Sequence, residues 1–215
     1  MFIGSRFKIQ LQIIIIMTLN FNPQVDYVLE DERVLLRPLI ASDIDFLLPY
    51  AINEPDTWKY SAISAKYEDG MLDYVNTALK AKAEGKEYPF IVFDKQTNEY
   101  AGSTRFYDIQ AANQTLQLGY TWYGEKFRGT GLNKHCKFLL LQFAFESLNA
   151  VRVEFRADAR NEKSIAAMKS IGCIVEGILR NNMPLQDGRR RDSIVLSILK
   201  EEWQNGIKET LLNKL

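Results

Sequence analysis

Residues 125–145, EKFRGTGLNKHCKFLLLQFAF, place two glycines immediately before a helix with an apolar face. The helix is predicted because apolar side chains recur at helical spacing and form one stripe: Leu132, Cys136, Leu139, Leu140, Phe143, Ala144 and Leu148. Gly129 and Gly131 have no Cβ, so the N–H groups around them can approach a ligand closely. The first helical turn adds unpaired N–H donors and the positive end of the helix dipole. The stretch therefore indicates an anion site, usually for phosphate, although a Gly-x-Gly pattern alone more often marks an ordinary loop.

The composition of the 215-residue chain is that of a globular protein, with 47% hydrophobic and 25% charged residues. This length suits one domain with a substantial core. The 27 basic residues equal the 27 acidic residues, so the formal net charge is zero. Domains that bind nucleic acid usually carry a basic excess, and no nucleic-acid partner is therefore predicted.

The first residues of the chain, 1–17, resemble a secretory signal because two cations precede an apolar run that ends at Met17. No small-residue cleavage site follows, and the run is too short and too interrupted by glutamine to span a bilayer. We interpret residues 1–17 as a non-native or disordered extension, with Met17 as the working initiator and residues 18–215 as the domain. The protein is accordingly expected to be cytoplasmic, with no membrane partner.

The cysteine and histidine content argues against a metal site. The two cysteines, Cys136 and Cys173, lie on apolar faces of predicted elements and are expected to be buried thiols in a reducing compartment. The single histidine, His135, is expected to face solvent, and the chain has no C-x-x-C motif. Because neighbouring helical residues do not face each other, a catalytic Cys136–His135 pair is also not expected.

Hydrophobic periodicity and turn residues predict an alternation of strands and helices in one domain. The strands are Arg33–Leu39, two strands within Tyr88–Ile109, Thr115–Tyr123, Val151–Ala159, Ile174–Arg180 and Asp192–Leu199, the last two joined by a turn around Asp187 and Gly188. The helices run from an N-cap at Ser42 to about Ile52, over Tyr67–Glu84, after Gly131, and from an N-cap at Asn161 to Gly172. This order predicts a mixed α/β sheet.

Several motifs in this order resemble the GCN5-related N-acetyltransferase superfamily, and more closely its branch of ribosomal-protein N-terminal acetyltransferases. The resemblance covers residues 33–203. The matching stretches are LRPL (36–39), LGYTWY (118–123), KFRGTG (126–131), ARNEKSIAAMKSIGCIVEGILR (159–180) and DGRRRDSIVLSILKEEW (187–203). The third stretch fits the family loop pattern Gln/Arg-x-x-Gly-x-Gly/Ala, with Lys126 in place of the usual Gln or Arg.

The resemblance implies an acyl-CoA N-acyltransferase fold: a single α/β domain whose mixed, mostly antiparallel central sheet has a splayed central strand pair and flanking helices. It also implies direct transfer of the acetyl group of acetyl-CoA to a primary amine, either a protein N-terminus or a small molecule. No metal is expected, and the protein is expected to be a monomer or a homodimer. A catalytically idle acyl-CoA binding or sensing module is the alternative function.

The resemblance also assigns site residues. The backbone of Tyr120 and Thr121 would bind the pantetheine arm and the thioester. The loop of Lys126, Phe127, Arg128, Gly129, Thr130 and Gly131 would bind the pyrophosphate. Asn161 and Ser164 match the family pair near the sulfur, with Ser164 as the proton donor to the leaving thiolate.

The general base is left open by the sequence. Many relatives have a glutamate in the central strand where this chain has Gln117, whose amide cannot accept a proton. Residues 151–158 alternate between apolar and charged side chains, so Glu154 and Asp158 are expected to form an ion-pair ladder with Arg152 and Arg156 rather than to act as bases. A water chain to solvent is the remaining route for the proton.

Overall fold

The computed structural model describes residues 18–61, 63–185 and 188–215. Within them the chain forms one eight-stranded sheet in the order β1-β2-β3-β4-β5-β6-β8-β7. The strands are β1 Leu29–Glu30, β2 Val34–Pro38, β3 Tyr88–Asp94, β4 Glu99–Gln110, β5 Thr115–Tyr123, β6 Arg152–Asp158, β7 Ile174–Pro184 and β8 Arg190–Leu199. The α-helices are α1 Ile44–Asn53, α2 Tyr67–Ala83, α3 Leu132–Gln142, α4 Glu162–Ser170, α5 Lys200–Glu202 and α6 Lys208–Leu212.

The predicted fold class is confirmed: helices flank a mixed sheet in which β5 and β6 pair in parallel and the other neighbouring strands pair antiparallel. The short strand β1 was not predicted. The predicted extension, residues 1–17, and Asp187 in the predicted turn lie outside the described residues. No helix in the described ranges has the length and apolar character needed to cross a bilayer.

The two faces of the sheet are covered by different helices, as the alternation of side chains along each strand requires. One face packs against α3 and contributes Leu36, Phe90, Phe106, Leu116 and Phe155 to a large core. The opposite face packs against α1 and α2 through Leu39, Ile91 and Trp122. The helix after the two glycines is therefore a core helix, as its apolar stripe predicted.

The predicted N-cap at Ser42 is wrong, because the neighbouring Asp43 stabilises this turn. The carboxylate of Asp43 accepts the N–H of Ile40 at 2.9 Å and two hydrogen bonds from the Arg37 guanidinium at 2.8 and 2.6 Å. Asp43 is buried, so it needs this charged partner. A 3₁₀ turn over Ala41–Asp43 consequently precedes α1.

The centre of the sheet contains a gap. Strands β5 and β6 pair over only three residues, ending with Gln117 opposite Glu154, and then separate. On its other side, β5 has two residues, Tyr120 and Thr121, opposite the single residue Thr104 of β4. This β-bulge puts Tyr120 in the left-handed region with φ +49°. The splayed central strand pair is thus present, and one strand of it is bent at the gap.

Candidate active site

Two helix N-termini lie at the same edge of the gap. Because β5 and β6 are parallel, their carboxyl ends point in the same direction. Helix α3 follows β5 and helix α4 follows β6, so both helices begin at that edge. The predicted pyrophosphate loop precedes α3, and the predicted Asn161–Ser164 segment begins α4. The fold therefore places the predicted pyrophosphate loop and the Asn161–Ser164 segment at the same edge of the sheet.

The glycine loop presents free backbone donors. Gly129 and Gly131 have φ values of +77° and +92°, and a Cβ at either position would meet no atom within 4 Å. In the described part of the chain, the N–H groups of Gly129, Thr130 and Gly131 have no hydrogen-bond partner. Positive φ favours glycine for the loop itself, and the open space above it leaves room for a ligand.

Fewer backbone N–H groups of the loop are free to bind an anion than the sequence predicted. The N–H groups of Phe127 and Arg128 are already bonded, to the carbonyls of Gly124 at 3.0 Å and Glu125 at 3.1 Å. They close a 3₁₀ turn before the glycines and cannot also face an anion. Phe127 instead packs its ring into the core. The continuous run of free donors before α3 therefore begins at Gly129.

The side chains of the two basic loop residues are tied to neighbouring elements. The Lys126 ammonium lies 2.5 Å from the Glu99 carboxylate. The Arg128 guanidinium donates to the carbonyl of Tyr123 at 2.9 Å and to the Thr57 hydroxyl at 2.6 Å, and the side chain is 43% exposed. Glu54 and Glu125 also lie 3.6 and 3.8 Å from the Arg128 guanidinium, so both basic side chains of the loop have carboxylate partners.

The bulge of β5 is supported from the face that packs on α2. Arg105 lies 4.2 Å from the ring centre of Tyr120 and 4.6 Å from that of Tyr74, and it pairs with Glu87 at 2.6 Å. The Tyr74 hydroxyl also lies 3.4 Å from the carbonyl oxygen of Tyr120. Burial raises the pKa of Tyr120, so its phenol stays protonated. These contacts hold the left-handed residue of the bulge in place.

The start of α4 is fixed by two short-range contacts. The Asn161 side-chain oxygen accepts the N–H of Ser164 at 3.1 Å, which confirms the predicted N-cap, and the Asn161 carbonyl accepts the N–H of Ile165 at 3.0 Å. The Asn161 Nδ2 and the Ser164 Oγ make no hydrogen bond to any described residue. Both groups are therefore available to a ligand at the edge of the gap.

The predicted ion-pair ladder is confirmed for Glu154 and wrong for Asp158. Glu154 lies 2.7 Å from Arg152 and 2.7 Å from Arg156. Asp158 is buried and binds Arg160 in the next turn through the guanidinium and the backbone N–H. The hydrogen bonds from Arg160 lower the pKa of Asp158, so it remains an anion that closes the turn before α4.

A carboxylate that the sequence analysis missed lies beside Gln117. The buried Gln117 side chain donates its Nε2 to Asp108 Oδ2 at 2.7 Å, and its Oε1 has no partner in the described ranges. Asp108 has φ +45°, within an irregular stretch where the register of β4 against β5 shifts between Tyr107 and Gln110. Strand periodicity gives no sign of such an irregularity, so the sequence did not place Asp108 next to Gln117.

The environment of His135 differs from the prediction. Its ring is buried, and its Nδ1 lies 2.8 Å from the Asp31 carboxylate. The expectation that His135 faces solvent is therefore wrong, because the segment before β2 folds over α3. Glu32 lies nearby, so one ligand atom from each of Asp31, Glu32 and His135 falls within 4.8 Å of the others. The other Asp31 oxygen accepts the N–H groups of Arg33 and Val34, which indicates a turn-stabilising role.

Both cysteines are free and buried, as predicted. Burial raises the pKa of the Cys136 and Cys173 thiols to about 12, so neither forms a thiolate near neutral pH. They are structural residues of the core around α3.

Known proteins share this sequence and fold. The profile of the acetyltransferase (GNAT) domain family matches residues 33–174. "Uncharacterized N-acetyltransferase p20" from Bacillus licheniformis is 29% identical over 173 residues, which cover 80% of this chain and 96% of that protein. "Putative ribosomal N-acetyltransferase YdaF" from Bacillus subtilis (strain 168) is 32% identical over 103 residues, covering 48% of this chain and 55% of that protein.

A solved structure agrees with these sequence matches. The "putative acetyltransferase" from T. thermophilus superposes with a TM-score of 0.78 and 33% identity, over 87% of this chain and 96% of that chain. The family profile covers most of the described sheet, including the glycine loop and the gap between β5 and β6. The chain therefore belongs to the GNAT family of acetyltransferases, whose members take their acetyl group from acetyl-CoA.

Proposed function

We propose that the protein transfers the acetyl group of acetyl-CoA directly to a primary amine, with the protein N-terminal amine as the first acceptor class to test. The observation that supports this is the open gap between β5 and β6, with the free amides of Gly129–Gly131 at one end. The similarity to the ribosomal N-acetyltransferase relative YdaF favours a protein acceptor. A small-molecule amine is the other acceptor class.

The donor half of the site would use mainly backbone atoms. The amides of Gly129, Thr130 and Gly131, with the dipole of α3, would bind the pyrophosphate. The edge of β5 at Tyr120 and Thr121 is not paired with β6, so its polar groups are free to hydrogen bond the pantetheine arm. Asn161 Nδ2 would donate to the same arm from the opposite side of the gap.

Acyl transfer then needs a proton donor near the sulfur. As the C–N bond forms and the C–S bond breaks, the electron pair of the broken bond moves to the sulfur. The Ser164 hydroxyl has no partner among the described residues and begins α4 at the edge of the gap, so we assign it as the proton donor, reprotonated by water.

The amine must also lose a proton. Gln117 cannot accept it, and Glu154 is held between two arginines. We assign this role to Asp108, through a water molecule, because its carboxylate lies next to the position where relatives have a glutamate. Gln117 would orient Asp108 through its Nε2 and leave its Oε1 for the water or the amine.

Turnover separates an enzyme from an idle acyl-CoA binding module, because both bind coenzyme A. Free thiol released from acetyl-CoA should appear with at least one member of a panel of N-terminal peptides and small primary amines. Mass spectrometry should locate a single added acetyl group on the acceptor amine. Tight coenzyme A binding without thiol release for any acceptor would instead support the idle module.

Replacement of Gly131 by valine should weaken coenzyme A binding by at least about tenfold, because a branched side chain would fill the space above the amides. Calorimetric titration with coenzyme A would measure this. Gly188→Val is the matched control, since Gly188 has φ +81° and equally open space but lies between β7 and β8. Equal affinities of folded Gly131→Val and Gly188→Val proteins would contradict the phosphate-loop assignment.

Ser164→Ala should lower kcat and kcat/KM together by at least about tenfold, with little change in acetyl-CoA binding, because general-acid help is typically worth about 10²–10⁴-fold. Ser170→Ala, at the other end of α4, is the control, and its kcat should equal that of the wild type. Asn161→Ala should instead weaken acetyl-CoA binding and cost about 1 kcal/mol of stability through the lost cap. A wild-type kcat in Ser164→Ala, measured when chemistry limits the rate, would remove Ser164 from the mechanism.

Asp108→Asn should lower kcat/KM for the amine by about tenfold or more, because the amide keeps the geometry and cannot accept a proton. The double variant Asp108→Asn/Gln117→Glu should recover activity, since it returns a carboxylate to the β5 position. Gln110→Ala is the control, because Gln110 binds the other Asp108 oxygen at 2.7 Å without being assigned a role. Full activity of Asp108→Asn across the pH range would show that solvent alone takes the proton.

A further inference from the structure

A lysine is buried in the core beneath the proposed site. Lys137 belongs to α3 and is only 5% exposed. No carboxylate of the described residues lies within salt-bridge distance of its ammonium. Burying a cation without a counter-ion is unfavourable, and a core position in a helix is usually taken by an apolar residue. The position of this charge therefore needs an explanation.

The ammonium of Lys137 contacts the bulge of β5. Its Nζ donates to Thr121 Oγ1 at 2.7 Å and lies 3.5 Å from Thr104 Oγ1, and the two threonine hydroxyls are 2.7 Å apart. On the other side, Nζ lies 6.0 Å from the ring centre of Phe155. Phe155 is the first residue of β6 after its last pairing with β5. Nζ thus contacts β4 and β5 at the bulge and faces the Phe155 ring, where β6 is no longer paired with β5.

The surroundings of Nζ supply hydroxyls and neutral groups but no anion among the described residues. The titratable groups that act on it are the thiols of Cys136 on α3 and Cys173 before β7, and both stay neutral near pH 7. In the described strands, the hydroxyls of Thr104 on β4 and Thr121 on β5 and the ring of Phe155 on β6 face it. An ammonium has three N–H donors, and two threonine hydroxyls leave one of them without a protein acceptor in this part of the chain.

We propose that Lys137 is the cationic partner of the thiolate that leaves acetyl-CoA. The inference rests on the proposed function, because it places the thioester at the bulge of β5. When the C–S bond breaks, its electron pair moves to the sulfur, and the ammonium stabilises that charge without giving up its own proton. Ser164 then supplies the proton to the sulfur. A fixed cation in a water-poor site stabilises developing charge far more than a cation in solution does.

The protonation state of Lys137 should make the rate of the chemical step depend on pH. Burial lowers the pKa of Lys137 to about 8, so the ammonium is present below that pH and is lost above it. The chemical step in the wild type should therefore slow as the pH rises through about 8. The rising limb at lower pH, where the acceptor amine loses its proton, should be unaffected by changes at Lys137.

Two substitutions at position 137 separate charge from packing. Lys137→Met keeps the length and removes the charge, so the chemical step should slow by about 10²–10³-fold, as for loss of one preorganised electrostatic donor. Its thermal midpoint should equal or exceed that of the wild type, because an apolar chain replaces a buried unpaired charge. Lys137→Arg should retain activity at least about tenfold above the Met variant, and its alkaline limb should disappear, since guanidinium stays protonated. The exposed Lys169→Met is the control.

A direct binding measurement does not depend on turnover. The thiol of bound coenzyme A, followed by thiolate absorbance, should titrate below the pKa of free coenzyme A in the wild type and at or above that pKa in Lys137→Met. A lysine that only supports the fold would leave this titration unchanged and would lower the thermal midpoint when replaced by methionine. Either of those results, or an unaltered alkaline limb in Lys137→Arg, would overturn the proposal. Failure of the wild type to turn over any amine would count against the proposed function instead.

Discussion

The site depends on the separation of β5 from β6, the one parallel pair in the described sheet. Three residue pairs hold the strands together, and then each strand leads to its own helix. Parallel pairing puts both helix N-termini at the same edge, and the separation leaves the polar backbone edge of β5 without a partner strand. A polar strand edge inside a protein needs hydrogen-bond partners. The extended, amide-containing arm of coenzyme A would supply them in the proposed function.

The bulge of β5 determines the direction in which the polar backbone edge of the strand faces. The extra residue opposite Thr104 forces Tyr120 into the left-handed region, which is costly for a residue with a bulky side chain. Arg105 stacks against Tyr120 on one face of the sheet, and Lys137 binds Thr121 from the other face. Two buried cations thus hold adjacent residues of the bulge from opposite sides. Of the two, only Arg105 has a carboxylate partner among the described residues, and this asymmetry supports the assignment of Arg105 to the fold and of Lys137 to the leaving thiolate.

The sequence predicted the elements whose signals are local. The helix after Gly131, the Asn161 cap and strand β5 all follow from periodicity, capping and turn residues, and they lie where predicted. Predictions were wrong where contacts between separate elements determine the position of a side chain. Asp43 stabilises the turn before α1 in place of Ser42, because Arg37 lies next to Asp43. His135 is buried because the segment with Asp31 folds over α3. Asp108 and Lys137 could not be placed because a bulge and a buried amine leave no periodic pattern.

The two halves of the site are built from different kinds of atoms. In the proposed function, the acetyl-CoA half would rely on backbone amides at the glycines and on the edge of β5, so many side chains around it could vary without loss of acetyl-CoA binding. The acceptor half would rely on side chains, and there Gln117 stands where the family resemblance leads us to expect a glutamate. Under the proposed function, a glutamine on β5 would be compatible with catalysis because the neighbouring strand presents Asp108 beside it, at 2.7 Å from the glutamine. A proton acceptor need only reach the amine through one water, so its position on the sheet is less constrained than that of the donor loop.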